Sequence, residues 1–251
     1  MKELVTVIIP ILEPQINPTE EKLLHHALDI LAEYPVIFVA GEGADLSVVR
    51  EHAENIDVVH FPKHFFESRQ HLGQLFLMSD FYERFNWCDF LLIHELNSWV
   101  VKDELHYWCK QGYDYYKTGP ALANAGNAPG MLKRISGLSE EEKRLYGSGY
   151  AGNGLYLCRI ERMTATLKSK RRLAHDYRHN PNLPNADSVF WELEANRFLP
   201  HLRKPTDIVR SHFAQYGVQY QNGTTLPFAL TGISHDNISE ISFFKTLPET
   251  E

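Results

Sequence analysis

The chain has 251 residues, of which 43% are hydrophobic and 23% are charged. This composition excludes a long disordered or fibrous chain, and the length suffices for a hydrophobic core. The formal net charge of −7 argues against a general nucleic-acid binder, because neutralising phosphates requires a basic surface. The three cysteines lie among apolar residues, which indicates reduced thiols, and the N-terminal apolar run is too short to cross a bilayer. We therefore expect a soluble, cytoplasmic protein with no transmembrane segment.

Short apolar strands alternate with amphipathic helices in the first half of the chain. The predicted strands are Val5–Ile9, Val36–Ala40, Asp57–Phe61 and Phe90–Leu96. The predicted helices are one that starts at Asn17-Pro18-Thr19-Glu20, Asp45–Asn55 and Leu72–Phe85. Such alternation is typical of βαβ units and of a parallel sheet covered on both faces.

The second half begins with a loop-like stretch, residues 119–148, which is followed by a predicted strand and two helices. These elements are Gly149–Arg159, Ile160–Arg172 and Ala186–Asn196. No repeat or linker separates the two halves. We predict a single α/β domain, Rossmann-like, with a mixed, mostly parallel sheet and helices on both faces.

Polar or glycine-rich residues interrupt the chain where four of the predicted strands begin or end. These segments are Pro10–Glu13, Gly41–Gly43, Glu95–Ser98 and Gly152–Gly154. Ligands of open α/β sheets bind at the carboxyl ends of the strands. We therefore predict a ligand site over the ends of the first, second and fourth strands, formed by Pro10, Glu13, Glu42, Glu95 and Asn97.

The triplet Glu95-Leu96-Asn97 ends a buried apolar run. Residues two apart on a strand point to the same side, so Glu95 and Asn97 can converge on a divalent cation with bound phosphates. A second interpretation is that Glu95 caps a turn and Asn97 satisfies backbone groups. The pair His94-Glu95 starts like a zinc-protease motif, but the fifth residue is Ser98 rather than histidine.

Three other motifs have a functional and a structural interpretation. Gly152-Asn153-Gly154 either lets the backbone approach a ligand closely or forms a simple turn. Asp187 or Ser188 either caps a helix or, as an acid, deprotonates an incoming hydroxyl. The basic cluster that runs from Lys168 to Arg172 either complements a helix dipole or binds phosphate.

Taken together, these segments resemble a bacterial domain family of unknown biochemical function that is grouped with glycosyltransferases of the GT-A type. The resemblance rests on VIIPILEP, YPVIFVAGEG, SDFYERFNWCDFLLIHELNSWVVKDELHYWCKQGYDY, GNGLYLCRIERM, DSVFWE and a PF-containing segment near Leu226–Gly232. It implies a single GT-A-like domain, with a nucleotide-binding half (residues 1–118) and a half for the donor sugar and acceptor (residues 119–251).

The resemblance also implies an activity: transfer of a sugar from a nucleotide-sugar to the hydroxyl of a glycan or glycoconjugate, as in surface-polysaccharide synthesis. It implies Mn²⁺ or Mg²⁺ held at Glu95 and Asn97, and a donor sugar bordered by Gly152, Asn153 and Gly154. The catalytic candidates are Asp187 and His235.

This chain departs from the family pattern at three polar positions. Asn97 stands where the family has Asp, Ser188 stands where the family has a second acid, and Thr231 stands where it has a histidine, with His235 four residues later. Two functions are therefore open: an active glycosyltransferase, or an altered relative that binds a nucleotide or glycan without transfer.

Overall fold

The computed structural model describes residues 2–12, 16–52, 56–118, 154–183 and 185–246. The strands in these ranges are Glu3–Pro10 (β1), Val36–Gly41 (β2), Asp57–Phe61 (β3), Cys88–His94 (β4), Ser98–Val100 (β5), Tyr115–Lys117 (β6), Leu155–Arg159 (β7), Ala214–Tyr216 (β8) and Ala229–Thr231 (β9). The α-helices are Pro18–Ile30 (α1), Ser47–His52 (α2), Arg69–Leu75 (α3), Ser79–Glu83 (α4), Leu105–Lys110 (α5), Ile160–Ser169 (α6), Arg171–Arg178 (α7), Ala186–Val189 (α8) and Asp207–Phe213 (α9). None of the described helices is long and apolar enough to cross a membrane.

The larger sheet has six strands in the order β3-β2-β1-β4-β7-β6. The first four are parallel, whereas β7 runs antiparallel to both β4 and β6, so five of the six strands point the same way. The predicted mixed, mostly parallel sheet is confirmed. The chain proceeds outward from β1 in both directions, to β2 on one side and to β4 on the other, which makes the carboxyl ends of β1 and β4 the switch point of the sheet.

Helices cover both faces of this sheet, as predicted. One face packs against α1, α2, α5 and α9, and the other packs against α3, α4, α6, α7 and α8. Side chains that alternate along β4 point into the two cores in turn. Phe90 and Leu92 pack with the helices of the first face, and Leu91 and Ile93 pack with those of the second.

The turn after β4 leads into a smaller sheet of order β5-β9-β8. In this sheet Ser98 lies directly opposite Thr231. The backbone N–H of Ile233 donates to the carbonyl of Asn97 at 2.9 Å. The C-terminal part of the chain is thereby held against the end of β4.

The single helix predicted over Leu72–Phe85 is wrong: the structure has two short helices, α3 and α4. Phe76 and Leu77, which lie between them, are both buried, as are Phe81 and Tyr82. One straight helix would turn some of these side chains to solvent. The break allows all of them to enter the core.

The two later helix predictions are wrong in the same way. The predicted helix Ile160–Arg172 is divided into α6 and α7 at Lys170, which has non-helical backbone angles. The predicted helix Ala186–Asn196 is α8 followed by a π-helix over Phe190–Glu194. Consecutive buried side chains from Val189 to Trp191 require the wider turn, because an α-helix would spread them around its axis.

Candidate functional site

A cavity of about 170 Å³ lies between the carboxyl ends of β1 and β4. It is lined by Pro10, Leu12, Glu20, Arg69, Leu72, Glu95, Leu96 and Asn97. The structure therefore brings together three of the residues singled out in the sequence: Pro10, Glu95 and Asn97. The cavity lies at the switch point, the place where sheets of this kind bind ligands.

Arg69 joins two buried carboxylates at this cavity. Its Nε donates to the Glu95 carboxylate at 2.9 Å, and its Nη2 donates to Oδ2 of Asp187 at 3.0 Å. The side chains of Glu95 and Asp187 are only 10% and 4% exposed. Residues from the two predicted halves of the chain, 1–118 and 119–251, thus meet in one ionic cluster, which we call the Arg69 cluster.

Burial and charge have opposite effects within the Arg69 cluster. Burial raises the pKa of Glu95, Arg69 partly offsets that rise, and Asp187 adds to it. Burial also opposes the charge on Arg69, but Asp187 and Glu95 outweigh burial and raise the pKa of the guanidinium. Arg69 is therefore a fixed cation, whereas the ionised form of Glu95 is disfavoured by its surroundings, as is common in functional sites.

Three polar atoms of the Arg69 cluster have no hydrogen-bond partner among the described residues: Nη1 of Arg69, Oε1 of Glu95 and Oδ1 of Asp187. The arginine and aspartate atoms lie against Gly73. A Cβ at that position would be 2.7 Å from Oδ1 of Asp187 and 3.2 Å from Nη1 of Arg69, so the glycine allows both groups to pack closely against α3. Unsatisfied polar groups are costly when buried unless a ligand or water binds them.

Gly154 lies against the turn that carries Asn97. Its carbonyl accepts from the backbone N–H of Glu95 at 2.6 Å, and its φ of +50° is in the left-handed region that favours glycine. A Cβ there would be 2.3 Å from both Oδ1 of Asn97 and Oγ of Ser98. Of the predicted glycine motif, Gly152 and Asn153 lie outside the described residues, as does Glu13.

The site fits a divalent cation poorly at Glu95 and Asn97. Only one of the two is a carboxylate, and that carboxylate already binds Arg69 at 2.9 Å. At 4 Å and an effective dielectric constant near 20, a dication and a guanidinium repel each other by about 8 kcal/mol. The Mn²⁺ or Mg²⁺ site therefore stays a prediction, and no step proposed for this protein depends on a metal ion.

Further charged groups lie on the same face of the sheet as the Arg69 cluster. Lys117, at the end of β6, is 1% exposed, and burial lowers its pKa to about 7 although Glu192 and Asp187 favour its charge. Glu192 binds Arg210 at 3.3 Å. Burial opposes the charge of Glu192, but Arg210, followed by Lys204 and Lys117, lowers its pKa.

Two C-terminal residues that the sequence singles out, Thr231 and His235, do not themselves line the cavity. Thr231 is buried, and its hydroxyl lies 3.1 Å from that of Thr118. His235 is exposed, and its Nδ1 is 3.3 Å from the hydroxyl of Thr19 in the first turn of α1. Glu20 in that same turn lines the cavity.

Glu42 lies outside this cavity. It is exposed in the turn that follows β2 and is not among the residues that line the cavity. The structure therefore does not bring Glu42 together with Glu95 and Asn97.

Arg69 is the residue that sequence reasoning missed. It occupies the first position of α3, and Ser68 caps that helix by accepting from the N–H of His71 at 3.2 Å. The predicted helix begins at Leu72 and therefore leaves Arg69 outside it. The capping sequence Ser68-Arg69-Gln70-His71 was the available signal.

The sequence of residues 55–230 matches a family described as "Protein of unknown function (DUF5672)". The match covers the segment from Ser79 to Tyr115, the motif Gly152-Asn153-Gly154, the DSVFWE segment and most of the PF-containing segment. The chain belongs to this family. No curated protein is similar in sequence at a significant level.

Two solved structures similar to this member of the DUF5672 family are glycosyltransferases. A glycosyltransferase involved in the glycosylation of the major capsid of PBCV-1 has 9% sequence identity and a TM-score of 0.43, with 80% of each chain covered. The apo form of mouse xyloside xylosyltransferase 1 has 11% identity and a TM-score of 0.42, with 79% of this chain and 84% of that chain covered.

Proposed function

We propose that this DUF5672 protein is a glycosyltransferase that takes a sugar from a nucleotide-sugar and transfers it to a hydroxyl of a glycan or glycoconjugate. The observation that carries the proposal is the cavity at the switch point, with Arg69, Glu95 and Asn97 at its wall and Asp187 bound to Arg69. The resemblance of the sequence to a family of unknown biochemical function that is grouped with GT-A-type glycosyltransferases also supports it.

The guanidinium of Arg69 is suited to the diphosphate of the donor. A planar fork of N–H donors matches phosphate oxygens, and Arg69 keeps Nη1 without a partner among the described residues. Glu95 and Asp187 hold the guanidinium in place before the ligand arrives. When the bond between sugar and diphosphate breaks, negative charge grows on the leaving group, and a fixed cation beside it lowers the barrier.

Asn97 and Gly154 complete the wall of the site. The Asn97 amide lines the cavity, and the Gly154 backbone lies so close to it that no side chain fits between. We propose that this turn borders the donor sugar, together with Gly152 and Asn153. Pro10, at the end of β1, lies on the opposite side of the crevice.

Two residues are candidates for the base that accepts the proton of the acceptor hydroxyl. Asp187 is 4% exposed and bound to Arg69, whereas His235 is exposed beside the first turn of α1. A base must reach the hydroxyl directly or through one water. His235 meets this requirement from solvent, and Asp187 meets it only from within the cluster.

A second candidate function is binding of a nucleotide or glycan without transfer. The burial of Asp187 and its ion pair favour this function, because Oδ2 of the carboxylate already accepts a hydrogen bond from Arg69 and little of the side chain is open to an acceptor hydroxyl. It makes the same binding prediction as the first candidate but predicts no release of nucleoside diphosphate.

A thermal-shift screen tests the proposal. Nucleoside diphosphates and nucleotide-sugars are added to the protein with Mn²⁺ or with a chelator, and the release of nucleoside diphosphate is then followed for every donor that binds. We expect a rise in Tm with at least one nucleotide and its release in the presence of an acceptor. Binding without release would favour the second candidate. No binding of any nucleotide would contradict the glycosyltransferase and would leave, of the second candidate, only the binding of a glycan.

The metal prediction has its own variants. If Glu95 and Asn97 hold Mn²⁺, Asn97→Asp supplies a second carboxylate and strengthens Mn²⁺-dependent nucleotide binding, whereas Glu95→Gln removes it. If Arg69 binds the diphosphate without a metal, the chelator changes the affinity of neither the wild type nor Asn97→Asp.

A further inference from the structure

An exposed apolar tip projects from the loop that follows the π-helix. It consists of Phe198, Leu199 and Pro200, and Phe198 and Leu199 are 62% and 67% exposed. Single exposed apolar residues are common on protein surfaces, but two large ones in succession on one loop are not accounted for by chance exposure.

The loop that carries the apolar tip is held in one shape. Oδ1 of Asn196 accepts from the backbone N–H groups of His201 and Leu202 at 3.0 and 2.9 Å, and its Nδ2 donates to the Leu202 carbonyl at 2.7 Å. Ala195 and Leu202, at the two ends of the loop, are buried. The exposure of Phe198 and Leu199 is therefore imposed by internal hydrogen bonds and anchored ends.

Basic residues lie beside the apolar tip. The Lys170 ammonium nitrogen lies 5.7 Å from the centre of the Phe198 ring. The Arg197 guanidinium carbon lies 5.2 Å from it, but this side chain is only 9% exposed and binds Glu194 at 2.8 Å. Lys170 joins the helices α6 and α7. Residues 159–178, which contain both helices, carry seven basic and two acidic residues in a chain whose net charge is −7. This local excess of positive charge is opposite in sign to the chain as a whole.

We propose that the apolar tip and the basic residues around it dock this protein on an anionic lipid surface. A projecting apolar loop inserts into the boundary between headgroups and acyl chains, where aromatic side chains are favoured. Lys170 and the exposed Arg171 and Arg172 next to it then reach the lipid phosphates. The exposed tip is held in one conformation beside a segment with an excess of positive charge, which suits a surface that is both apolar and anionic. The proposal does not depend on the glycosyltransferase function.

Co-sedimentation with vesicles tests the proposal on the full chain. Vesicles of phosphatidylcholine alone are compared with vesicles that also contain phosphatidylglycerol. We expect binding to the anionic vesicles, weak binding to the neutral ones, and loss of binding at high salt. Absence of binding to the anionic vesicles, or equal binding to both kinds, would overturn the proposal.

Surface variants separate the two parts of the proposed contact. Phe198→Ser with Leu199→Ser should weaken binding by at least about tenfold, and Arg171→Glu with Arg172→Glu should weaken it by more than about tenfold, since each basic residue near an anionic surface contributes about fivefold. Val218→Ser, a change at a residue that is 57% exposed elsewhere, is the control and should bind like the wild type. Retention on a poly-glutamate resin without binding to anionic vesicles would indicate an acidic protein partner and overturn the lipid proposal.

Discussion

Two ionic clusters, each with a buried carboxylate, lie at opposite ends of the strands of the six-stranded sheet, and they differ in how completely their hydrogen bonds are satisfied. At the end where β6 begins, the Asp114 carboxylate accepts from Nε of Arg159 at 3.1 Å and from the backbone N–H and Nε of Arg203 at 2.9 and 3.2 Å. One carboxylate there lies between two guanidinium groups, of which that of Arg203 is 62% exposed. At the other end, one guanidinium group, that of Arg69, lies between two carboxylates and retains an unsatisfied donor among the described residues.

The comparison distinguishes a charge that stabilises the fold from one that is available to a ligand. Burial opposes the charge of Asp114, but the hydrogen bonds and charge of Arg203 and the charge of Arg159 outweigh it and lower its pKa. For Glu95 the balance is reversed, and its pKa is raised. A carboxyl group with a raised pKa in a cleft at the switch point is a candidate for a functional role rather than a stabilising one.

Replacing Asp114 should have the largest effect on stability. Asp114→Ala removes a buried carboxylate that accepts hydrogen bonds from two arginine side chains and a backbone N–H, and we expect the free energy of unfolding in urea to fall by about 3 kcal/mol. Because the pKa of Asp114 is lowered in the folded state, its contribution is present at neutral pH and is lost as the pH falls through that folded pKa. Asp89→Ala, at an exposed pair with Lys2, is the control and should change stability by less than about 0.5 kcal/mol. Equal effects of the two changes would refute the structural role of Asp114.

A methyl group at Gly154 should have the next largest effect. Gly154→Ala combines a left-handed backbone with a clash against Asn97 and Ser98, and we expect a loss of about 2–3 kcal/mol in unfolding free energy. Gly43→Ala has a comparable φ of +79° but no atom within 4 Å of the added Cβ, so it should cost only about 1–2 kcal/mol. Similar losses for both would mean that the Gly154 backbone does not press on the turn.

Lys117, at the end of β6, should make the unfolding free energy depend on pH in the alkaline range. Its pKa is lowered from 10.5 to about 7, so between these values the unfolded chain binds one more proton than the folded chain. The unfolding free energy should therefore rise with pH in this range, by at most about 1.4 kcal/mol per pH unit from this group. Urea unfolding at about pH 8 and about pH 10 should show a steeper rise for the wild type than for Lys117→Met. Parallel curves would show that Lys117 keeps its ordinary titration in the folded protein.

Much of the fold could be predicted from the sequence because the buried faces of strands and helices are marked by local patterns of apolar residues. Strands β1 to β4 and the capping box at Asn17 and Glu20 follow from such patterns, and the structure contains all of them. Helix breaks could not be predicted, since Phe76 and Leu77 are buried only through contacts with distant elements.

The site was predictable only in part for the same reason. Glu95 and Asn97 interrupt an apolar run and can be found from it. Arg69 and Asp187 are separated by more than a hundred residues in the sequence, and only the packing of α8 on α3 brings them together. The charge balance of the site, which decides between a metal and an arginine, therefore cannot be derived from local sequence.

Calorimetric titration of a nucleoside diphosphate tests most directly whether the Arg69 cluster, unlike the Asp114 cluster, serves a ligand. We predict binding to the wild type and to Glu42→Gln, which alters an exposed carboxylate outside the cavity. Glu95→Gln should weaken binding by at least about tenfold, because Arg69 loses one of its two anchors, while the unfolding free energy changes by less than about 1 kcal/mol. Equal affinity for all three proteins would contradict the assignment of the switch-point cavity as the ligand site.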